Sequence, residues 1–265
     1  MAKNYVWNAK DYQKNSTNQY AWAQELIPKL NLHGNETLLD IGCGDGKITA
    51  EIAKALPNGR VVGIDSSPDM INLAQTLFPL NDYPNLSFQL ADARNFVFQA
   101  IFDRVFSNAA LHWIPNQSTV LFCVEKCLKP QGKLLFQMAG KGNAQNILNI
   151  LDEMLTLEPW RQYFAGFKFP YGFFDAKEYA AFLEKADLKP LRLELFPKDM
   201  KLQGAEGLAG WVRTTWLPFT EKLPNELKTE FVEELATRYL QKHPADVDGT
   251  VHVKMVRLEV QAQKP

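Results

Sequence analysis

The stretch Leu38-Leu39-Asp40-Ile41-Gly42-Cys43-Gly44-Asp45-Gly46 runs from an apolar segment into three glycines spaced two residues apart. The apolar residues predict the end of a buried strand, and the glycines predict a tight turn into a helix. Glycine permits such a turn and the close approach of a ligand, because it has no Cβ atom. In an open α/β sheet this turn borders the crevice at the carboxyl ends of the strands. The stretch therefore predicts an α/β fold with a ligand site beside the loop.

Two phosphate-binding motifs also contain glycine-rich loops, and the spacing here matches neither. The dinucleotide fingerprint G-x-G-x-x-G needs a third glycine three residues after the second, whereas Gly46 follows Gly44 by two. The P-loop G-x-x-x-x-G-K-[ST] is matched by Gly46-Lys47, but Ile41 occupies its first glycine position and Ile48 its hydroxyl position. Neither phosphate-binding motif is therefore predicted.

Two acidic residues end the next predicted strands. Asp65 closes Val61-Val62-Gly63-Ile64-Asp65, about 20 residues beyond the loop, where an acid is expected to accept hydrogen bonds from both ribose hydroxyls. The alternative is that Asp65 caps a helix over 66–77. Asp92 follows the third strand in Leu90-Ala91-Asp92-Ala93. It is a candidate binding residue because it is the third such signal along the chain, after the glycine loop and Asp65.

Strands and helices alternate between residues 37 and 140. Helices are predicted at 47–55, after the Ser66-Ser67-Pro68-Asp69 start signal, and at 117–128. The predicted strands are Thr37–Ile41, Arg60–Asp65, Leu86–Leu90, Phe102–Ser107 and Lys133–Met138. This alternation predicts right-handed crossovers and a parallel sheet covered on both faces.

The pattern changes after residue 140. Residues 143–187 are expected to be mostly helical, and they contain an aromatic cluster between Trp160 and Phe174 that either packs as core or forms a substrate wall. Further helices are predicted at 17–30, 205–216 and 225–241, and further strands at Leu191–Phe196 and His252–Val260. The last strand alternates through Val253 and Met255, and Arg257 departs from the pattern.

The spacing D-x-G-x-G-x-G from Asp40 to Gly46 is similar to the first motif of class I S-adenosylmethionine (SAM)-dependent methyltransferases. With the two later acids, the resemblance covers residues 37–140. It implies a Rossmann-like α/β fold with a seven-stranded, mostly parallel sheet, whose last strand is antiparallel, sandwiched by helices under a helical cap. It implies SAM as cofactor and S-adenosylhomocysteine as product, with these residues around it: Asp40, Gly42, Cys43, Gly44, Asp65, Ser66, Met70, Ala91, Asp92, Ala93 and Asn108.

Two of these residues have specific expected partners in the cofactor. In the methyltransferases that the chain resembles, the acid at the position of Asp92 accepts a hydrogen bond from the adenine amino group. Met70 is a candidate to pack on the adenine face, and its alternative is an ordinary core position.

The predicted fourth strand ends in Asn108-Ala109-Ala110-Leu111-His112-Trp113, which faces the methyl donor in this family. Adenine methyltransferases of DNA and RNA carry an N/D-P-P-Y/F run at this point, and this chain does not. Cytosine C5 enzymes need a Pro-Cys nucleophile, and the sequence contains no Pro-Cys pair. A nucleic-acid base is therefore not the expected acceptor.

The wider sequence resembles the trans-aconitate methyltransferase group, through residues 7–12, 107–113, 210–219 and 248–251. The resemblance implies one class I methyltransferase domain over 1–265. Its expected parts are an N-terminal helical segment at 1–36, a SAM-binding core at 37–140, a helical and aromatic substrate cap at 141–187 and 203–245, and final strands at 188–202 and 250–262.

Relatives with a similar Leu111-His112-Trp113 region methylate carboxylates, and there a Gln and a Trp hold the substrate carboxylate. By position these are Gln19 and Trp113. A carboxylate has a pKa near ~4 and needs no general base, so in-line alignment and exclusion of water would drive transfer. Arg213 is a candidate partner for a second acidic group, and His112 is the candidate base if the acceptor is a phenol or amine. The alternatives are a wall or core role for Trp113, a loop hydrogen bond for His112 and a surface ion pair for Arg213.

Composition limits the other classes. A net charge of −1 predicts no basic face for nucleic acid, and no apolar run reaches the ~18 residues of a membrane span. Cys43, Cys123 and Cys127 form no paired framework, and the last two are expected in the core. With no secretion signal at residues 1–5, a cytoplasmic enzyme for a small molecule is expected, with no nucleic acid, membrane or obligatory protein partner. The alternatives are an N-, C- or phenolic O-methyltransferase, or a SAM-binding protein without its own chemistry.

Overall fold

The computed structural model describes residues 17–265, and the side chains of residues 20–265. Its helices are α1 (Thr17–Leu26), α2 (Lys47–Lys54), α3 (Pro68–Leu77), α4 (Gln117–Cys127), α5 (Gln145–Met154), α6 (Ala176–Lys185), α7 (Gly204–Thr215), α8 (Leu217–Thr220) and α9 (Asn225–Lys242). Its strands are β1 (Thr37–Ile41), β2 (Arg60–Asp65), β3 (Leu86–Leu90), β4 (Phe102–Asn108), β5 (Leu128–Ala139), β6 (Lys189–Gln203) and β7 (Thr250–Gln263). Short 3₁₀ turns lie at Ile27–Leu30, Leu111–Trp113 and Arg161–Tyr163.

The seven strands form one sheet in the order β3-β2-β1-β4-β5-β7-β6. β1 to β5 pair in parallel, and β7 is antiparallel to both of its neighbours, β5 and β6. The expected mostly parallel sheet with an antiparallel last strand is confirmed. Strand order reverses between β1 and β4, so the crevice that such a reversal opens lies at the carboxyl ends of these two strands.

The first three strands have the predicted bounds, and β4 is longer by one residue. The last three extend beyond the apolar segments predicted at 133–138, 191–196 and 252–260. β6 and β7 pair along nearly their whole length, from Lys189 opposite Gln263 to Gln203 opposite Thr250. Backbone hydrogen bonds extend this antiparallel pair beyond the segments that show an apolar pattern. Most side chains of β6 are exposed or only partly buried, so its sequence has little hydrophobic alternation to reveal its length.

The expectation of a mostly helical 143–187 region was wrong in its middle. α5 and α6 are helical, but residues 155–175 form turns, bends and one 3₁₀ turn. Pro159, Pro170 and Gly172 interrupt this segment, because proline lacks a backbone donor and glycine disfavours a helix. α6 then begins with a capping box in which Asp175 and Glu178 each accept the other's backbone N–H at 2.9 Å.

The two faces of β7 join two hydrophobic clusters. Val251, Val253 and Met255 pack in the cluster built with α5, α7 and α9, whereas Leu258 and Val260 pack in the cluster of the central strands with α4 and α6. Most aromatic residues of the cap belong to the first cluster, whereas Phe174 packs against the second. The cap is therefore built directly on the sheet.

The predicted helix residues Cys123 and Cys127 lie in α4. Cys127 is buried in the central cluster, and Cys123 is partly buried against it, as expected for core positions. Within residues 17–265, no helix is both long and apolar enough to cross a membrane.

Candidate active site

The glycine loop after β1 is held in place by backbone contacts and tight packing. The N–H groups of Gly42 and Cys43 both donate to Ile64 O of β2, at 2.8 and 3.0 Å. A Cβ atom on Gly42 would lie 2.2 Å from Cβ of Ala110, and one on Gly46 would lie 2.6 Å from the Phe88 ring. These two positions are glycine because the fold leaves no room for a side chain.

Gly44 differs from both neighbours. Its φ is +53°, and no described atom lies within 4 Å of where its Cβ would stand. The open space is on the crevice side of the loop, beside Asp65, which accepts the Gly44 N–H at 3.1 Å. The backbone here is bare and faces empty space, as the approach of a ligand requires.

Asp65 is oriented by the backbone rather than used as a helix cap. Its carboxylate accepts from Gly44 N and, at 2.9 Å, from Ser67 N. α3 is capped instead by Ser67, whose Oγ accepts from Met70 N at 3.3 Å with Pro68 in the first turn. Ser67, and not Asp65, is therefore the helix cap. The Asp65 carboxylate is held at the carboxyl end of β2, beside Gly44.

Buried carboxylates make this crevice suited to a cation. The pKa of Asp40 is raised to about 7, mainly by burial; a 2.7 Å hydrogen bond from Thr49 opposes the shift, and the charge of Asp65 adds to it. Burial also raises the pKa of Asp65. The pKa of the Cys43 thiol is raised well above its usual value by burial and then by the charges of Asp65 and Asp40. A sulfonium and an ammonium group would relieve this unfavourable negative charge, so the site fits SAM.

Asp92 lies at the far side of the crevice, after β3. Arg94 donates to both of its oxygens through Nε, at 2.8 and 3.0 Å, and through Nη2. This side-chain pair lowers the pKa of Asp92, so its carboxylate is an ionised acceptor. The backbone N–H of Ala91 donates to Asp65 O at 3.0 Å, which ties the two acidic loops together.

The other predicted cofactor residues surround the same crevice. Met70 is buried in the first turn of α3, Ser66 is exposed, and Ala91 and Ala93 are partly buried. Asn108 ends β4 opposite Gln137 of β5. These positions are brought together by the fold, and their contacts with SAM remain predictions.

The chain turns sharply after β4. Ala109 has a φ of +55°, which is uncommon for a residue other than glycine, and its N–H donates to Gln137 O at 2.8 Å. The 3₁₀ turn Leu111–Trp113 follows directly. This turn brings Ala109, His112 and Trp113 to the wall of one pocket beneath the cap.

The pocket draws its walls from distant parts of the chain. α1, the end of β4, the 155–175 segment, α7, β6 and β7 all contribute, and most of the side chains are aromatic or apolar. The lining residues are Trp22, Ala109, His112, Trp113, Ala139, Asn143, Tyr171, Phe173, Met200, Trp211, Thr215, Trp216, Met255 and Arg257. The aromatic cluster is therefore partly core and partly pocket wall.

Arg257 is the charged residue that sequence reasoning missed. Its side chain is 3% exposed, on the face of β7 that also carries Val253 and Met255. Its guanidinium lies 5.2 Å from the centre of the Trp22 ring. The signal in the sequence was a basic residue at a strand position where the alternating pattern predicts another apolar side chain on the inward face. A buried guanidinium in a pocket is a strong binding group for an anion.

His112 stands beside this charge as a neutral imidazole. Burial lowers its pKa well below 6.5, and the positive charge of Arg257 lowers it further. Its Nδ1 atom is buried and has no hydrogen-bond partner among the described residues. The same holds for Nε1 of Trp216, a donor on the same pocket. Both atoms are available to a bound molecule.

The structure separates the predicted acceptor-site residues. Trp113 lines the pocket, with its ring 5.0 Å from that of Tyr171 in a T-shaped arrangement. Arg213 lies on the exposed side of α7 and does not line the pocket, whereas Trp211 and Thr215 of the same helix do. Gln19 belongs to α1, and its side chain lies outside the described residues, as does the 7–12 run. Their substrate roles remain predictions.

The chain is similar in sequence to known methyltransferases. The family described as a methyltransferase domain matches residues 32–180. A trans-aconitate 2-methyltransferase of Rhodopseudomonas palustris is 28% identical, over 97% of this chain and 99% of its own length. An uncharacterized methyltransferase of Schizosaccharomyces pombe is 38% identical, over 56% of this chain and 57% of its own length.

A solved structure shares the fold. The phosphoethanolamine N-methyltransferase 2 of Haemonchus contortus, in complex with S-adenosylhomocysteine, superposes with a TM-score of 0.62 at 18% identity. The match covers 97% of this chain and 57% of that one. Since the family match spans more than half of the residues and the crevice suits a cationic nucleoside, this chain belongs to the class I SAM-dependent methyltransferases.

Proposed function

We propose that the enzyme transfers the methyl group of SAM to a carboxylate oxygen of a small organic acid. The observation that carries this proposal is Arg257, a buried guanidinium in the pocket that also contains Ala109 and His112 at the end of β4. A guanidinium binds a carboxylate through two parallel, charge-assisted hydrogen bonds.

The pocket supplies what this reaction needs. SAM supplies an activated methyl group on a sulfonium; the carbon–oxygen bond forms as the carbon–sulfur bond breaks, its electron pair stays on sulfur, and no proton moves. Arg257 and the indole N–H of Trp216 hold the ionised carboxylate, and the aromatic walls exclude water. Because a cation and an anion become two neutral products, an apolar surrounding disfavours the reactants more than the transition state.

The comparisons support a carboxylate acceptor through the relatives named trans-aconitate 2-methyltransferase. Identities of 26–28% to these relatives do not carry their substrate over to this chain. A trans-aconitate-like acid is therefore one member of the proposed substrate class. Trp113 is retained as a second donor to the acid, and Gln19 stays a candidate from the N-terminal segment.

A second candidate function is methyl transfer to a phenol or an amine. The observation that favours it is His112, whose neutral imidazole has a buried Nδ1 with no partner among the described residues. Such a nitrogen can accept a proton from a substrate hydroxyl or ammonium group. The carboxylate proposal is preferred because a guanidinium lines the same pocket and because relatives named trans-aconitate 2-methyltransferase match nearly the whole chain.

The test is transfer of a labelled methyl group from SAM to a panel of di- and tricarboxylates, fatty acids, phenols and amines. Each labelled product is then treated with mild base. Release of labelled methanol identifies an ester and supports the proposal. A product that resists base contradicts the ester and supports His112 as a base. SAM binding without any product, over the whole panel, favours a binding protein without chemistry of its own.

A further inference from the structure

Resting on the proposed function, we infer that Asn143 determines acceptor specificity: its Nδ2 atom donates a hydrogen bond to a second oxygen of the acid, separate from the carboxylate that accepts the methyl group. Asn143 is buried and lines the pocket, at the turn between β5 and α5. The inferred substrate class is a small acid that carries a further carbonyl or carboxylate oxygen.

The first support is the orientation of the Asn143 amide. Gly140 N donates to Val256 O at 2.9 Å, so a regular antiparallel pair would have Val256 N donate back to Gly140 O. Instead, Gly140 O accepts the backbone N–H of Asn143 at 3.0 Å, and Val256 N donates to Asn143 Oδ1 at 3.2 Å. The oxygen end of the amide is therefore fixed against β7, because the Val256 donor needs an acceptor.

The second support is that the nitrogen end of the amide is left over. No atom among residues 20–265 accepts a hydrogen bond from Asn143 Nδ2. His112 Nδ1, which lies on the same pocket wall, has no partner among these residues either, so the two side chains do not pair. An N–H donor at the wall of a largely apolar pocket favours a bound molecule that offers it an acceptor.

The third support is the rigidity of the turn. Ala144, the next residue, has a φ of +51° and is fully buried in the cluster of the cap. A residue other than glycine keeps this conformation only where its surroundings hold it. α5 begins directly after it, at Gln145. The turn therefore presents Asn143 in one position, as a residue that discriminates between substrates requires.

The fourth support is that the hydroxyl donors of the wall are used inside the cap. The Tyr171 hydroxyl donates to Thr215 O at 3.0 Å, and the Thr215 hydroxyl donates to Trp211 O at 2.5 Å. Asn143 Nδ2 is therefore a donor that the wall itself does not use. Because it is uncharged, it suits the oxygen of a ketone as well as that of a carboxylate.

The test compares acids that differ only in a second oxygen. Pentanoate, 4-oxopentanoate and glutarate form one set, and hexanoate, 5-oxohexanoate and adipate form a second set with longer chains. In at least one set, we expect kcat/KM for methyl ester formation to be about tenfold higher for an oxygen-bearing acid than for the unsubstituted acid. A lead by the oxo acid identifies a neutral second oxygen, and a lead by the dicarboxylate identifies an ionised one.

Two variants then remove the donor. N143D keeps an oxygen for Val256 and replaces the NH₂ group by a second oxygen, whereas N143L removes both polar atoms without adding a charge. In each variant the ratio of kcat/KM between the oxygen-bearing and the unsubstituted acid should fall to about one or below. The ratio cancels any effect of the variant on the reacting carboxylate, which both acids share. N149D is the matched control and should keep the parent ratio, since Asn149 is an exposed asparagine of α5 that does not line the pocket.

SAM affinity separates acceptor recognition from a role in folding or cofactor binding. Measured by calorimetry, it should stay within about threefold in N143D, which reports a folded cofactor site. A tenfold loss of SAM affinity would assign Asn143 to the cofactor and overturn the inference. Retention of the parent ratio by N143D would overturn it as well.

The outcomes also separate this inference from the proposed function. Ester formation by the parent enzyme that is equal within each set, or that favours the unsubstituted acids, would overturn the role of Asn143 and leave carboxylate methylation standing. Absence of base-labile product from every acid, in protein that binds SAM, would overturn both.

Discussion

At the scale of single residues, the three glycines of the loop have different structural roles. Gly42 and Gly46 are required by neighbouring side chains, whereas Gly44 faces open space in the crevice. The same substitution should therefore damage folding at one position and cofactor binding at another, although the residues are two apart.

G42A and G44A test this distinction. G42A forces a Cβ to within 2.2 Å of Ala110 Cβ at a φ of +74°, and should lower the free energy of unfolding by about 2–4 kcal/mol. G44A meets no protein atom, and should cost only about 1–2 kcal/mol for its φ while weakening SAM binding about tenfold or more. Chemical denaturation and calorimetry measure the two effects. Equal loss of stability in both variants would contradict this assignment.

Asp40 should make stability and SAM binding depend on pH. Its pKa is raised to about 7 in the folded chain, against 3.8 for the ordinary carboxyl group. The folded state therefore binds the proton more tightly than the unfolded state. The stability that this carboxyl contributes is full below pH 4 and is lost as the pH rises to 7, a change of a few kcal/mol at most. D40N should flatten this part of the stability curve.

SAM should have the opposite effect on the Asp40 proton. A cationic ligand favours the carboxylate, so binding releases a proton and SAM affinity rises with pH between about 6 and 8. Calorimetry in two buffers of different ionisation enthalpy measures the proton released. Uptake of a proton, or the same release in D40N, would contradict the role given to Asp40.

At the scale of the secondary-structure element, α3 connects Asp65, the acid predicted to bind the ribose, to the core. Ser67 caps the helix through its Oγ, and it orients Asp65 through its backbone N–H, which donates to the Asp65 carboxylate. A side-chain substitution can therefore separate helix capping from the orientation of Asp65.

S67A should lower the free energy of unfolding by about 1 kcal/mol, as expected for loss of a serine cap. Because the backbone donor remains, SAM affinity should fall less than about threefold. Thermal denaturation and calorimetry test the two parts of this prediction. A tenfold loss of SAM affinity at unchanged stability would show that the hydroxyl itself contacts the cofactor.

At the scale of the whole molecule, β7 joins the cap to the SAM-binding core, because its two faces belong to two different hydrophobic clusters. The cap also supplies six of the residues that line the pocket: Asn143, Tyr171, Phe173, Trp211, Thr215 and Trp216. The cap and the core are therefore expected to unfold together.

A single cooperative transition should appear in both near-UV and far-UV circular dichroism. SAM at about 100 times its Kd should stabilise the fold by about 2.7 kcal/mol and raise the midpoint by roughly 5 °C for both signals. Two separated transitions, with only one moved by SAM, would show that the cap unfolds independently.

The sequence by itself determined the SAM-binding half of the protein. The bounds of β1, β2 and β3, the glycine loop, the Ser67 cap and the acids at the strand ends were all predictable, because each depends on residues within a few positions of one another. Local patterns of turn chemistry and alternation report such features directly.

The tertiary structure alone decided the acceptor pocket. Arg257 lies far along the chain from His112, and they meet because β7 inserts between β5 and β6 and turns its odd-numbered residues toward the cap. Tyr171, Trp211 and Trp216 reach the same pocket from the 155–175 segment and α7. No local pattern encodes such meetings, since they follow from the packing of elements that are distant in sequence.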